Sequence, residues 1–445
     1  MRNIINLAEN NKKLTKLWLI HSVTALALSG FFAIFLVVAR SPYISALLPY
    51  KDFFKTSLTI HVNLSVLIWL TSMACTIFST KTSFRKTGFI GLAICAIGTL
   101  LITISIFDTN AEAYLNNYIP MLQSRLFEAG IIIYLSGLLI SSFMGLKLET
   151  DNLALRYYAL TSFFIVLASG ITLGLTYLNL ENAANRNLYN FGDYYEKLFW
   201  GCGHIIQFLY TNGLMMAGFW LVYEILKIED SKKERNLKIS VFFLNLIFAL
   251  TGIYIILNFD VSSFEYTNNF TKQMKQFGGF APMIAFLVII TPLINNYSKF
   301  GEENKPQRNA VVWSIILFGA GGVISMMING VNTIIPAHYH GSIVGISLIF
   351  MGFVYQAMPK LGFQVTLKRT ARIQPILYGF GQLLHITGFA ISGGYGALRK
   401  TPGAVISPEA KVYMGLMGIG GLISIIGGLL FVIVICVGLL KSKRK

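Results

Sequence analysis

The sequence predicts an all-α, polytopic membrane protein built as a bundle of twelve transmembrane helices, and three observations carry that prediction. Of its 445 residues, 55% are hydrophobic and only 12% are charged, a balance that excludes both an ordinary soluble domain and a disordered chain. Apolar stretches long enough to cross a hydrocarbon core of about 30 Å recur along the whole length. Lysine and arginine concentrate in every second connection, as they do when alternate loops face the cytoplasm.

The spans fall at about 15–39, 52–79, 87–107, 124–146, 155–178, 198–226, 238–258, 276–296, 309–329, 334–357, 373–396 and 412–440. Runs of this length suit helices, whose backbone groups are satisfied within each segment, and not strands. The first run is too long for a signal peptide and is followed by Arg40-Ser41-Pro42 without a small-x-small cleavage pattern, so it is expected to be a retained helix. The connections around 108–123, 179–197 and 258–275 are the longest and lie on the outer side. No soluble domain or solenoid repeat interrupts the pattern, so residues 1–445 are expected to form one membrane domain with short basic tails at 1–14 and 441–445.

Twelve spans put both termini on one side, and that side holds 25 of the 36 lysines and arginines. The termini are therefore expected in the cytoplasm, with the chain in a bacterial-type inner membrane. The net charge of +17 is read as topology and contact with anionic lipid, and no nucleic-acid partner is expected. Cys75, Cys95, Cys202 and Cys436 all lie within spans, with no close pair and no Cys-x-x-Cys-His, so neither a disulfide framework, a zinc site nor a covalent c-type haem is encoded.

The histidines carry the chemistry. His338-Tyr339-His340 sits just inside the outer end of the tenth span, where residues two apart point about 200° apart around a helix. Two imidazoles on opposite faces suit two haem irons better than one shared metal. His61 lies about ten residues into the second span and His204 about seven into the sixth, and at 1.5 Å per residue all four reach the same outer half of the membrane. His21 is expected to pack or lie at the interface. His385, near mid-membrane in the eleventh span, is expected to bond a neighbouring helix or a haem edge. Glycines recur beside these residues, Gly201 and Gly203 flanking His204 among them, and allow close approach of a helix or a flat macrocycle.

This arrangement resembles the catalytic subunit I of the heme-copper respiratory oxidase superfamily, which includes cytochrome oxidases and nitric oxide reductases. The resemblance covers nearly the whole chain. It implies that His61 and His340 are the axial ligands of a low-spin haem and that His338 is the proximal ligand of a high-spin haem. It implies that His204, within Trp200-Gly-Cys-Gly-His204-Ile-Ile-Gln-Phe208, is a ligand of a neighbouring non-haem metal, copper or iron. Arg399-Lys400, before the last span, resembles the basic pair that holds haem propionates, and two cations beside buried carboxylates make electrostatic sense in any case.

The departures are equally specific. The family's oxidases add two metal-ligating histidines near the start of the seventh helix, and here Lys238–Phe259 contains none. His204 is therefore an incomplete ligand set. Phe208 stands where most of those oxidases place a tyrosine. Glu128, Asp260 and Glu265 are acids near this depth that could supply carboxylates to iron, with Glu128 the first candidate. Glu224 is the acid nearest the inner end of the sixth span. The reading that results is a divergent subunit I-like membrane haem protein, which passes electrons from the low-spin to the high-spin haem, where O2 or NO would be reduced. The alternative is a non-catalytic relative for electron transfer, gas sensing or assembly that has lost its copper centre. With no dinuclear-copper motif and no c-type attachment site, electrons must come from a partner, cytochrome c or a quinol, and other oxidase subunits are implied partners.

Overall fold

In the first segment of the chain, Glu9–Val38 (α1) packs along Phe53–Ser79 (α2) through a polar seam inside an otherwise apolar pair. Asn11 donates to the carbonyls of Ser79 and Thr82, Ser79 bonds Thr15, and Ser22 meets Thr76. Such groups must find partners within protein, because lipid supplies none. The structure is a computed structural model that describes residues 9–38, 52–182, 189–399 and 407–441. Arg40–Pro42, Lys400 and most of both tails lie outside the described residues.

The helices continue as Arg85–Ile104 (α3), Arg125–Ser142 (α4), Leu153–Leu180 (α5), Phe191–Ile225 (α6) and Lys232–Asn258 (α7). Then follow Phe264–Asn295 (α8), Lys305–Met326 (α9), Ile334–Lys360 (α10), Lys368–Gly394 (α11) and Pro408–Leu440 (α12). Local chemistry sets several starts. Asp52, Asn152, Ser231 and Ser407 each accept an amide at the first turn of α2, α5, α7 and α12. Ser231 and Glu234 complete a capping box.

Among the described residues, eleven helices are long and apolar enough to cross a membrane. The twelfth long helix, α11, falls short of that measure. It carries Lys368, Arg369 and Arg372 in its first turns and Gln374, Gln382 and His385 further along, and these polar groups dilute its apolar content.

The connection expected at 258–275 is mostly helical. Ser263 caps the stretch Phe264–Phe277, which precedes Phe280–Asn295 in α8 across Gly278-Gly279. Tyr266, Phe270 and Gln273 are its buried residues, spaced i, i+4, i+7 along one face, while Glu265, Lys272 and Lys275 are exposed. That period is visible in the sequence, but the segment is too polar to register as a span. The 108–123 connection holds a two-stranded antiparallel hairpin, Ala113–Tyr114 with Met121–Leu122.

The chain divides into two compact units. The first contains Asn6–Met216 and Asp230–Ala285, and the second contains Ala217–Glu229 and Phe286–Lys445. The middle of the first unit is held by a buried amide and hydroxyl network. Asn245 of α7 donates to Phe208 O at 2.8 Å and to Asn212 Oδ1 at 2.7 Å, and Asn212 donates on to Thr161 and Ser162 of α5. In the second unit Glu224 pairs with Lys360 and accepts from Trp220 Nε1, so this acid near the C-terminal end of α6 is already compensated.

Replacing Asn245 by leucine strips donors and acceptors from partners that water cannot reach. Asn245→Leu should cost about 1–3 kcal/mol, read as a lower Tm in detergent, whereas Asn258→Leu on the exposed end of the same helix should change Tm little.

Candidate functional site

In the first unit, His61 lies where α2 changes its winding. Residues Asn63–Ile68 form a π turn, a local irregularity that disturbs the regular ladder of amide donors. The His61 carbonyl receives hydroxyls instead, from Ser65 Oγ at 2.7 Å and Ser29 Oγ at 3.2 Å. Asn63 bonds Thr59 O and reaches Pro120 O at 2.8 Å, which ties the turn to the 113–122 hairpin. The His61 ring itself is fixed from α1: Nδ1 lies 2.9 Å from Ser29 O. A carbonyl only accepts, so Nδ1 carries the proton and the lone pair is on Nε2.

The second unit repeats the device at His338. Its Nδ1 lies 2.8 Å from Gly321 O on α9, which again assigns the proton to Nδ1 and the lone pair to Nε2. This bond needs the α9 and α10 backbones to approach closely, and glycines permit it. A Cβ built on Gly341 would stand 2.7 Å from Gly321 Cα, and one on Gly321 would stand 2.5 Å from Ser342 N. Among the described residues, Nε2 of His61 and Nε2 of His338 take part in no hydrogen bond, and both rings are half-buried.

His340 leaves α10 on the other side. While His338 faces α9, the His340 ring packs edge-on against His385 of α11 at 4.9 Å and near Phe389 at 6.0 Å. The opposite orientation expected of a His-x-His pair is thus present in the fold. His385 is held by a third ring-to-backbone bond, Nδ1 to Met417 O of α12 at 2.8 Å. His21 has hydroxyl partners on both nitrogens, Thr99 at 3.1 Å and Ser72 at 3.1 Å, the packing role expected for it. Arg399 is brought to the N-terminal end of α10 by the strip before it, where Thr333 N bonds Ala397 O and Asn332 bridges Leu398. Its charge acts on Tyr339, between the two histidines.

His204 is surrounded differently. It is 2% exposed; Nδ1 lies 2.7 Å from Trp200 O and Nε2 lies 2.7 Å from Tyr118 Oη. Trp200, Tyr118 and Phe270 wall the ring at centroid distances of 5.1, 4.5 and 5.5 Å. Of the acids considered beside it, Glu128 is engaged with Tyr195 and Arg125. Glu265 is exposed. Asp260 accepts from the Ser262 amide at 2.7 Å and from its hydroxyl, bonds that hold its carboxyl below the usual carboxylate range and leave it ionised at neutral pH. No group of three or more His, Cys, Asp or Glu side chains suited to a metal ion occurs among the described residues. Tyr118 and Phe270 are the residues that sequence reasoning missed. Neither sits in a motif; the i, i+4, i+7 spacing of Tyr266, Phe270 and Gln273 is the signal that could have found Phe270.

Fold and site together define a multi-pass helical membrane protein with imidazoles oriented by backbone carbonyls, a form suited to haem iron. Residues 13–423 match the cytochrome c and quinol oxidase polypeptide I family, and the chain belongs to that family. It is 31% identical to an uncharacterized protein of Rickettsia prowazekii, with 95% of each chain covered. It is 24% identical to an uncharacterized protein of Aquifex aeolicus over 81% of this chain and 88% of that one. Its fold is similar to that of a solved heme-copper terminal oxidase dimer, with a TM-score of 0.77 at 18% identity, covering 98% of this chain and 86% of the other.

The glycine contact behind His338 is open to a direct check. Gly341→Ala forces a methyl into the α9 backbone and should cost about 1–3 kcal/mol. Gly319→Ala, whose Cβ meets nothing within 4 Å, should be neutral or slightly stabilising; thermal melts of the two variants make the comparison.

Proposed function

We propose that this chain is a divergent heme-copper oxidase subunit I-like haem protein of twelve membrane spans, with both termini cytoplasmic in a bacterial-type inner membrane. In this reading, His61 and His340 would hold a low-spin haem that accepts electrons, and His338 would hold a high-spin haem where O2 or NO would be reduced. The observation that carries it is the shared state of His61 and His338: each spends Nδ1–H on a backbone carbonyl and presents Nε2 as a lone pair at membrane depth. A neutral imidazole whose second nitrogen is anchored in this way is the form that ligates iron. A haem held by these residues would supply one-electron chemistry at its iron.

The protein's own residues do the rest. Ser29 O and Gly321 O hold the ligand rings at a fixed tautomer and angle, which an unanchored imidazole would lack. His385 and Phe389 form the wall against which His340 rests, and the Met417 carbonyl fixes His385 in turn. Arg399, with Lys400 beside it in sequence, is the pair for the propionates, and its proximity to Tyr339 supports that placement at the outer end of α10. The donor is cytochrome c or a quinol, and other oxidase subunits are partners.

The second reading is a non-catalytic haem protein for electron transfer, gas sensing or assembly. One observation favours it: His204 has both ring nitrogens hydrogen-bonded.

Difference spectra decide between these readings. Purified protein should show two haems, one of which binds CO. His61→Ala or His340→Ala should remove the low-spin bands and keep the CO-binding haem, and His338→Ala should do the reverse. Retention of both haems in all three variants would overturn the ligand assignment. Consumption of O2 or NO by the CO-binding form would establish the enzyme, and its absence with both haems present would favour the non-catalytic relative.

A further inference from the structure

We propose that His204 holds no metal and that Tyr118 stands where one would bind, closing a relay from the Tyr118 hydroxyl through the His204 ring to the Trp200 carbonyl. The inference deepens the haem reading and rests on it only for the place where a second metal would be sought.

Hydrogen bonding assigns the protons. Trp200 O can only accept, so His204 Nδ1 is the donor across 2.7 Å. The neutral ring then has its lone pair on Nε2, and the Tyr118 hydroxyl donates to it across 2.7 Å. A metal ligated by His204 would need that same lone pair. Nor can Tyr118 and His204 share an ion between them at this separation. Ligand atoms about 2.0–2.1 Å from one metal stand about 3 Å or more apart, and these two atoms are closer than that. Further ligands are lacking: no suitable cluster of three occurs among the described residues, and α7 contributes no histidine.

The room around the ring is filled on purpose-built lines. A Cβ on Gly203 would stand 2.4 Å from Tyr118 Cγ, and one on Gly201 would stand 2.6 Å from Tyr266 Oη and 2.9 Å from Phe270. The two glycines beside His204 therefore admit aromatic rings from the 113–122 hairpin and from Phe264–Phe277. Tyr118 is also pinned by its neighbours: Asn117 N donates to Glu196 Oε2 at 2.9 Å, and Pro120 O accepts from Asn63 at 2.8 Å.

The test is metal content of the purified holoprotein, measured against haem iron. It is done before and after incubation with cupric, zinc and ferrous ions and gel filtration, alongside Tm for wild type, Tyr118→Phe, His204→Ala and the double variant. Haem is read on the same samples by its spectrum, so loss of the haem reading would appear there and leave the metal result intact. Expected are non-haem metals below a tenth of an equivalent per chain in every form, a lower Tm in each single variant, and a double variant scarcely worse than either one. One equivalent of non-haem metal in wild type that disappears in His204→Ala would overturn the proposal. Should His204→Ala fail to fold, Tyr118→Phe decides: a fall in Tm without change in metal supports the relay, and an unchanged Tm overturns it.

Discussion

A backbone carbonyl that accepts from a histidine Nδ1–H, at a depth where water is scarce, is the constraint on which this structure turns. His61, His338 and His385 each reach across to a neighbouring helix for that bond, at 2.9, 2.8 and 2.8 Å. A donor left without a partner in such surroundings costs more than the bond itself returns. The helices must therefore come close enough to supply the carbonyl, and their small residues follow from that need. Gly321 against Gly341 lets α9 meet α10, and Gly420, whose Cβ would fall 2.4 Å from His385 N, does the same for α11 and α12.

The same physics separates His204 from the other imidazoles. Its anchor is the carbonyl four residues back in its own helix, so no second helix is drawn in by it. The space beside it is taken by aromatic rings. His61 and His338, by contrast, keep Nε2 out of any hydrogen bond among the described residues.

Several polar groups inside both units are consumed by named partners. Asn245 and Asn212 bond each other and the hydroxyls of α5 and α6, Glu224 is neutralised by Lys360, and Lys238 by Asp230. The acid near the C-terminal end of α6 is thereby part of a structural ion pair.

Class, helix positions and the candidate ligands were legible in the sequence, because they depend on local properties. Span length follows from hydropathy, and the divergence of His338 from His340 follows from 100° per residue. The helix Phe264–Phe277 was missed since hydropathy is averaged over a window, while its signal lies in which side of the helix is apolar. α11 carries histidine and glutamine that blur the same average. What only the tertiary structure decided is which carbonyl each ring addresses and who occupies the fourth side of His204. Tyr118 and His204 are 86 residues apart, on a hairpin loop with no periodicity. A contact of that kind arises from packing alone, where the hairpin, held by Asn63 and Glu196, delivers a hydroxyl to a buried lone pair.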